Sequence, residues 1–217
     1  MSTSHCSRCL LRQDLCLCHQ APVLSKALED FHLVLLTHTD ELRKVTNTGR
    51  LLERALPRCE VWPWQRTEFE GRWQSFLKNQ SRSPILLFPT DEVTTAAVVE
   101  LESFHSIGEK QALMTNHIFV LVDATWQQAK KMLRQSTSLQ ACPRLSLSID
   151  QESQYSLRRN QSAGNVSTVE TGYGLLREFA LEADADRLQA YFERFLRHSE
   201  ANRSGYTLAN DGSDEGY

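Results

Sequence analysis

Continuous apolar runs alternate along the chain with segments whose apolar positions recur every three or four residues. Phe31 to Thr37 (Phe-His-Leu-Val-Leu-Leu-Thr) is apolar throughout and of strand length, the pattern of a strand buried on both faces. Cys59 to Trp64, Pro84 to Phe88 and His117 to Val122 read as further strands, and Arg144 to Ile149 alternates as another. Between them, Leu42, Val45, Leu51, Leu52, Ala55 and Leu56 suit a helix from Asp40 to Leu56, with Asn47 or Thr48 as an internal cap and Pro57 as its stop. Short helices are predicted over Arg72–Lys78 and Gln127–Gln135. Val93 to Phe104 is read as a helix from its length and alanines, although its valines and threonines also suit a strand. Thr168–Ala183 and Asp186–His198 are helical, the latter placing Leu188, Tyr191, Phe192, Phe195 and Leu196 on one face.

Strands alternating with helices predict an α/β protein on a mostly parallel sheet. Such sheets bind ligands at the carboxyl ends of their strands, which directs attention to the segments following Phe88 and Val122. No internal repeat is visible.

Length and charge refine this picture. At 217 residues the chain fits one ordinary domain with a small appendage. The division expected is a cysteine-bearing segment over 1–22, the main domain over 23–203 and a polar, disordered tail over 204–217. No apolar run approaches the roughly 20 residues that cross a bilayer, and the first 20 residues lack the apolar block of a secretory signal, so a cytoplasmic location is expected. The net charge of −3 argues, as an average, against coating nucleic acid in bulk. Yet Asp211, Asp214 and Glu215 lie in the tail, which has no Lys or Arg, so the remaining chain is balanced. Its basic residues cluster between Arg43 and Arg58 and again at Lys130, Lys131 and Arg134. These blocks are either solvated faces or an RNA contact surface.

Cys6, Cys9, Cys16 and Cys18 crowd one short stretch. Paired cysteines on tight turns can close a tetrahedral thiolate shell around Zn2+, and four thiolates leave no open position for chemistry. A disulfide pair and a redox-active pair are the bland alternatives. His5 and His19 flank the cluster and could replace a sulfur, but an all-cysteine site is simpler. The segment is either a plain staple or an RNA-docking element carrying Arg8 and Arg12. Cys59 and Cys142 are isolated and read as core thiols.

Asp123-Ala-Thr-Trp126 follows a strand and precedes a helix, where α/β folds place reacting groups. Asp123 can be a base or simply the helix cap, and capping rules favour the cap. Trp126 can pack as core or stack on a flat ligand. Thr46-Asn47-Thr48-Gly49 and the loop from Ser162 to Glu170 are polar stretches that could hold a ligand or merely cap helices. There is no Walker loop, Gly-x-Gly-x-x-Gly or Gly-x-Ser-x-Gly. The residues alone reach a zinc-knuckled α/β domain with a polar site, and no particular reaction.

The segment Val122-Asp-Ala-Thr-Trp-Gln-Gln-Ala-Lys-Lys-Met132 resembles the signature of the DTW-domain family. The cysteine cluster, His38-x-x-Glu41 with Thr46-Asn47-Thr48, Leu86-Leu-Phe-Pro89, and Tyr155-x-x-Arg158 followed by Ser167-Thr-Val-Glu170 agree in the same order, over roughly residues 6 to 180. Thr39 and Thr171-Gly172 depart from the common pattern and bear on subtype. The resemblance implies a SPOUT-like fold with a C-terminal trefoil knot around S-adenosylmethionine. It also implies transfer of the 3-amino-3-carboxypropyl group to N3 of a tRNA uridine, in the variable loop, releasing 5'-methylthioadenosine. With it, Asp123 becomes the base or the group that orients the uracil. Phe88, Pro89, Val122, Thr125, Trp126, Thr168 and Glu170 are expected around the cofactor, and Arg43, Asn47, Lys130, Tyr155, Arg158 and Arg159 toward the substrate. The rival expectations are a SPOUT-like RNA methyltransferase and a non-catalytic zinc-bearing RNA-binding module. A monomer and a homodimer are both compatible with the resemblance.

Overall fold

The computed structural model describes residues 4–90, 96–147 and 166–208. Its centre is a five-stranded sheet of β1 (His32–His38), β2 (Arg58–Trp64), β3 (Ser83–Leu87), β4 (His117–Asp123) and β5 (Arg144–Leu145). The spatial order is β2-β1-β4-β3-β5, and every pairing is parallel. The connections contain α1 (Gly49–Ala55), α2 (Phe69–Lys78), α3 (Ile107–Asn116), α4 (Trp126–Arg134) and α5 (Thr137–Ala141), and α6 (Thr168–Glu178) and α7 (Glu182–Ser204) follow the sheet.

The apolar runs of β1 and β4 are explained by helices on both sides of the sheet. Successive side chains point to opposite faces. Leu33, Leu35, Phe119 and Leu121 therefore enter the core shared with α1, α6 and α7. Val34, Leu36, Val120 and Val122 enter the second core, with Trp73, Met132 and Leu139 from α2, α4 and α5. Each such side chain contributes about 1.5–3 kcal/mol when fully buried. The parallel register sets Thr37 opposite Asp123, at the carboxyl edge of the two central strands.

Several expectations change. The helix predicted over Val93–Phe104 is absent from its described part: Arg144 N–H donates to the Ala97 carbonyl, Val99 N–H donates to the Arg144 carbonyl, and a 3-10 turn covers Leu101–Ser103. Here the β preference of the valines wins, because a strand edge is available to pair with. The Asp40–Leu56 helix shrinks to a 3-10 turn at Glu41–Arg43 and α1, since the polar Thr46-Asn47-Thr48 stretch interrupts it. The strand at Arg144 is assigned only to Leu145, and its predicted end at Ile149 lies outside the described residues. Helices α3 and α5 replace stretches in which no element was expected. Residues 148–165, between β5 and α6 in the sequence, also lie outside the described residues.

The N-terminal segment is built into the main core. Leu11, Leu15 and Leu17 are buried with Tyr191, Phe192 and Phe195 of α7. Tyr191 Oη donates to the Leu17 carbonyl at 3.2 Å, and Arg12 N–H donates to Asn202 Oδ1 at 2.9 Å. Helix α7 ends at Ser204 on a left-handed Gly205, with φ of 76°. The Tyr206 carbonyl just beyond accepts Arg12 Nη2 at 2.8 Å. Residues 209–217 of the expected tail lie outside the described residues. Among those described, no helix is long and apolar enough to cross a membrane.

Candidate functional site

Asp123 is the last residue of β4 and is only 2% exposed. Three neutral donors from three segments converge on it. Asn47 Nδ2 and Thr37 Oγ1 donate to its Oδ2 at 2.6 and 3.1 Å, and Thr168 Oγ1 donates to its Oδ1 at 2.7 Å. Burial pushes the carboxyl above the ordinary aspartate value, helped by the negative charge of Glu41, while the Asn47, Thr168 and Thr37 hydrogen bonds oppose the rise. Gly49 leaves room for this group: a Cβ there would stand 2.8 Å from Asp123 Oδ2. A small cleft runs from the carboxylate beneath α1, lined by Thr37, Leu42, Asn47, Gly49, Arg50 and Glu53 among others. A carboxyl so placed can accept a proton more readily than an exposed one, and can orient a polar group brought to the cleft.

Helix capping does not fall to Asp123. Thr125 is the N-cap of α4, with Gln128 N–H donating to Thr125 Oγ1 at 3.4 Å and Thr125 N–H donating to Gln128 Oε1 at 3.0 Å. This capping box satisfies the helix N-terminus and releases Asp123 from that duty. Gln128 Nε2 also lies 3.3 Å from His38 Nδ1, joining the carboxyl ends of β1 and β4. Glu170 caps α6 in the same manner, accepting Ser167 N–H at 2.6 Å.

On the other face of the sheet, Trp126 is 39% exposed and stacks on buried Phe88, with ring centroids 5.2 Å apart and planes at 14°. Lys130 Nζ sits 4.8 Å from the Trp126 centroid. An exposed indole anchored by a second ring and a cation offers a flat surface to an aromatic ligand.

The cysteine cluster assembles. Ligand sulfurs of Cys6, Cys9, Cys16 and Cys18 all lie within 4.8 Å of one another, with Cys6–Cys18 and Cys9–Cys16 each at 3.8 Å. A zinc–sulfur bond of about 2.3 Å implies a tetrahedral sulfur–sulfur edge of about 3.8 Å, so the group could hold such an ion. All six cysteines are free thiols. Backbone donation from Cys9 lowers the Cys6 thiol to about 6, whereas burial raises Cys9 and Cys18. Leu10 adopts φ of 62° and donates its N–H to the Cys6 carbonyl at 2.9 Å, closing the first turn. Cys142 is buried and Cys59 partly so.

The expected residues thus divide. Asp123, Asn47 and Thr168 meet, while Phe88, Val122, Trp126 and Lys130 lie at the same sheet edge on the opposite face, with Pro89 exposed beside them. Arg43 is exposed at the 3-10 turn. Tyr155, Arg158 and Arg159 lie outside the described residues. The basic block at 43–58 is partly neutralised, since Lys44 pairs with Glu41, Arg54 with Glu53 and Arg58 with Asp30. Sequence reasoning assigns no site role to Thr37, Gln128 or Arg50, although Gln128 falls within the family signature and Arg50 within the basic block. Gly49 stands in the candidate ligand stretch that begins at Thr46, without the close approach to Asp123 that explains it. Thr37 leaves one local signal, a polar residue closing an apolar strand.

The sequence profile of the DTW domain matches residues 3–200. A mouse protein named tRNA-uridine aminocarboxypropyltransferase 2 is 27% identical over 167 residues, covering 76% of this chain and 53% of the relative. A Drosophila melanogaster protein of the same name is 27% identical over 170 residues, covering 76% of this chain and 62% of the relative. The chain aligns with only about half to three fifths of the length of these relatives. No solved structure matches it significantly.

Proposed function

This chain belongs to the DTW domain family, and on that premise we propose that it modifies tRNA by transferring the 3-amino-3-carboxypropyl group of S-adenosylmethionine to N3 of a uridine. The observation that carries the reading is the family match over residues 3–200 together with a buried carboxyl, Asp123, at the carboxyl edge of the sheet beside a cleft. The sulfonium supplies an electrophilic carbon. A bond forms between that carbon and uracil N3, the carbon–sulfur pair stays on sulfur, and 5'-methylthioadenosine leaves. The N3 proton then needs an acceptor.

Asp123 is the proposed acceptor, or the group that orients the uracil imide; its raised pKa supports the first role. Thr37, Asn47 and Thr168 fix its rotamer, so the carboxylate is placed before substrate arrives. Phe88, Pro89, Val122, Thr125, Trp126, Thr168 and Glu170 are proposed to contact the cofactor at the sheet edge, the first five from one face and Thr168 and Glu170 from the other. Trp126 and Phe88 supply the flat surface and the capping boxes of Thr125 and Glu170 hold the helix ends in register. Arg43, Lys130, Tyr155, Arg158 and Arg159 are proposed to meet tRNA, and a zinc ion on Cys6, Cys9, Cys16 and Cys18 to brace the fold. The reading carries with it a SPOUT-like fold with a C-terminal trefoil knot, and a cytoplasmic location.

The test is incubation with total tRNA and S-adenosylmethionine labelled in its aminocarboxypropyl chain, followed by nucleoside mass analysis. Label on N3 of a uridine, with one 5'-methylthioadenosine per transfer, is the expected result. Methyl addition would establish the RNA methyltransferase instead. Tight tRNA binding with no cofactor affinity by calorimetry would establish a binding module.

A further inference from the structure

Arg50 is the residue at which the cysteine cluster and the Asp123 cluster come together. Its main-chain N–H donates to Asn47 Oδ1 at 3.3 Å, and Asn47 Nδ2 in turn donates to Asp123 Oδ2 at 2.6 Å. Its side chain reaches the opposite way. Nη1 donates at 2.7 Å to the carbonyl of Arg8, which lies between Cys6 and Cys9. Nη2 donates to the carbonyl of Leu42, on the 3-10 turn that leads from β1 toward Asn47. A planar guanidinium can bond two carbonyls at once in fixed relative positions, which the single rotating ammonium of lysine cannot do. Both terminal nitrogens are thus engaged with main chain, so Arg50 is withdrawn from the basic block otherwise available to phosphates.

We propose that Arg50 is a positioning residue through which the state of the cysteine centre sets the geometry of the Asp123 cluster. A metal ion held by the four sulfurs fixes the Cys6–Cys9 turn and with it the Arg8 carbonyl. Arg50 then holds the segment from Leu42 to Asn47, and Asn47 holds the carboxylate. The proposed function enters only in saying what that carboxylate is for. The link itself is independent of it.

The test follows amide hydrogen exchange in the full chain, zinc-loaded and after chelation, for wild type, Arg50→Gln and Arg50→Lys. Chelation of wild type is expected to speed exchange over residues 42–50 about tenfold while residues 117–123, in the central strand, stay protected. Zinc-loaded Arg50→Gln, still binding one Zn2+ per chain, is expected to exchange over 42–50 like zinc-free wild type, with less than about a twofold further change on chelation. Arg50→Lys should fall between. The proposal is overturned if zinc-loaded Arg50→Gln exchanges like zinc-loaded wild type, or if chelation accelerates 42–50 equally in both. Should chelation also release 117–123, the chain has unfolded, and the zinc-loaded variants alone decide by the first criterion. Absence of transfer by zinc-loaded wild type would sink the functional reading while leaving the exchange pattern to judge Arg50.

Discussion

Thr168 Oγ1 donates to Asp123 Oδ1 at 2.7 Å, joining residues 45 positions apart. The first residue of α6 is thereby tied to the last residue of β4. The carboxylate is held between a helix start and two neighbouring segments of chain, so its chemistry and the packing around it are open to the same substitutions.

Asp123→Asn should abolish transfer and leave cofactor affinity largely intact, with turnover read by nucleoside mass analysis and affinity by calorimetry. The amide presents an NH2 to a shell made of donors. One buried donor is left unmatched, at a cost of about 1–3 kcal/mol measured by denaturant unfolding.

Activity should depend on pH through the same group. Because burial raises the carboxyl in the folded protein, the acidic limb of the rate profile is expected above the free aspartate value of about 3.9. The stability consequence has a definite sign. Between the unfolded and the raised folded value the native state binds more protons, so stability falls as pH rises through that window and is level above it. Asp123→Asn should remove this contribution from the pH dependence of unfolding.

Gly49→Ala places a Cβ 2.8 Å from Asp123 Oδ2, and the carboxylate must move. A displacement of this kind is expected to lower kcat by about a hundredfold. At Gly172 the obstruction is Leu52 Cδ2 at 2.4 Å, where α6 approaches α1, so Gly172→Ala should cost about 1–3 kcal/mol in unfolding free energy.

Trp126→Ala should change stability by less than about 1.5 kcal/mol, because the indole is half in solvent and loses one stacking partner. Cofactor affinity should nevertheless drop about tenfold or more by calorimetry, with Trp126→Phe recovering most of it. Equal affinity in all three proteins would remove Trp126 from the cofactor site.

Metal removal should be felt far from the sulfurs. Leu11, Leu15 and Leu17 are buried against α7, so a chelator or Cys16→Ser is expected to lower the thermal midpoint by more than about 5 °C, each 1 kcal/mol being worth roughly 2–4 °C in a domain of this size. Cobalt substitution should give a tetrahedral thiolate spectrum with one ion per chain, lost in Cys9→Ser.

The sheet was legible because β1 and β4 are buried on both faces, which leaves unbroken apolar runs of strand length bounded by polar residues. Val93–Phe104 misled because its alanines mask a chain that completes pairing with Arg144, a partner far away in sequence. The site was half legible. Asp123 could be placed at a strand end, but its release from capping needed Thr125 and Gln128 to be seen in register. Thr37 shows locally only as the polar end of an apolar run and Gly49 only as part of a polar stretch, whereas their contacts with Asp123 come from parallel pairing and close approach.

The docking of the cysteine turns on α7 has a consequence for biogenesis. Arg12 meets Asn202 across 190 positions, so the turns are synthesised long before the surface that receives them. While the ribosome completes the intervening chain, Leu11, Leu15 and Leu17 have no α7 to cover them. A metal ion taken up by the four sulfurs at that stage would keep the nascent segment compact during the interval.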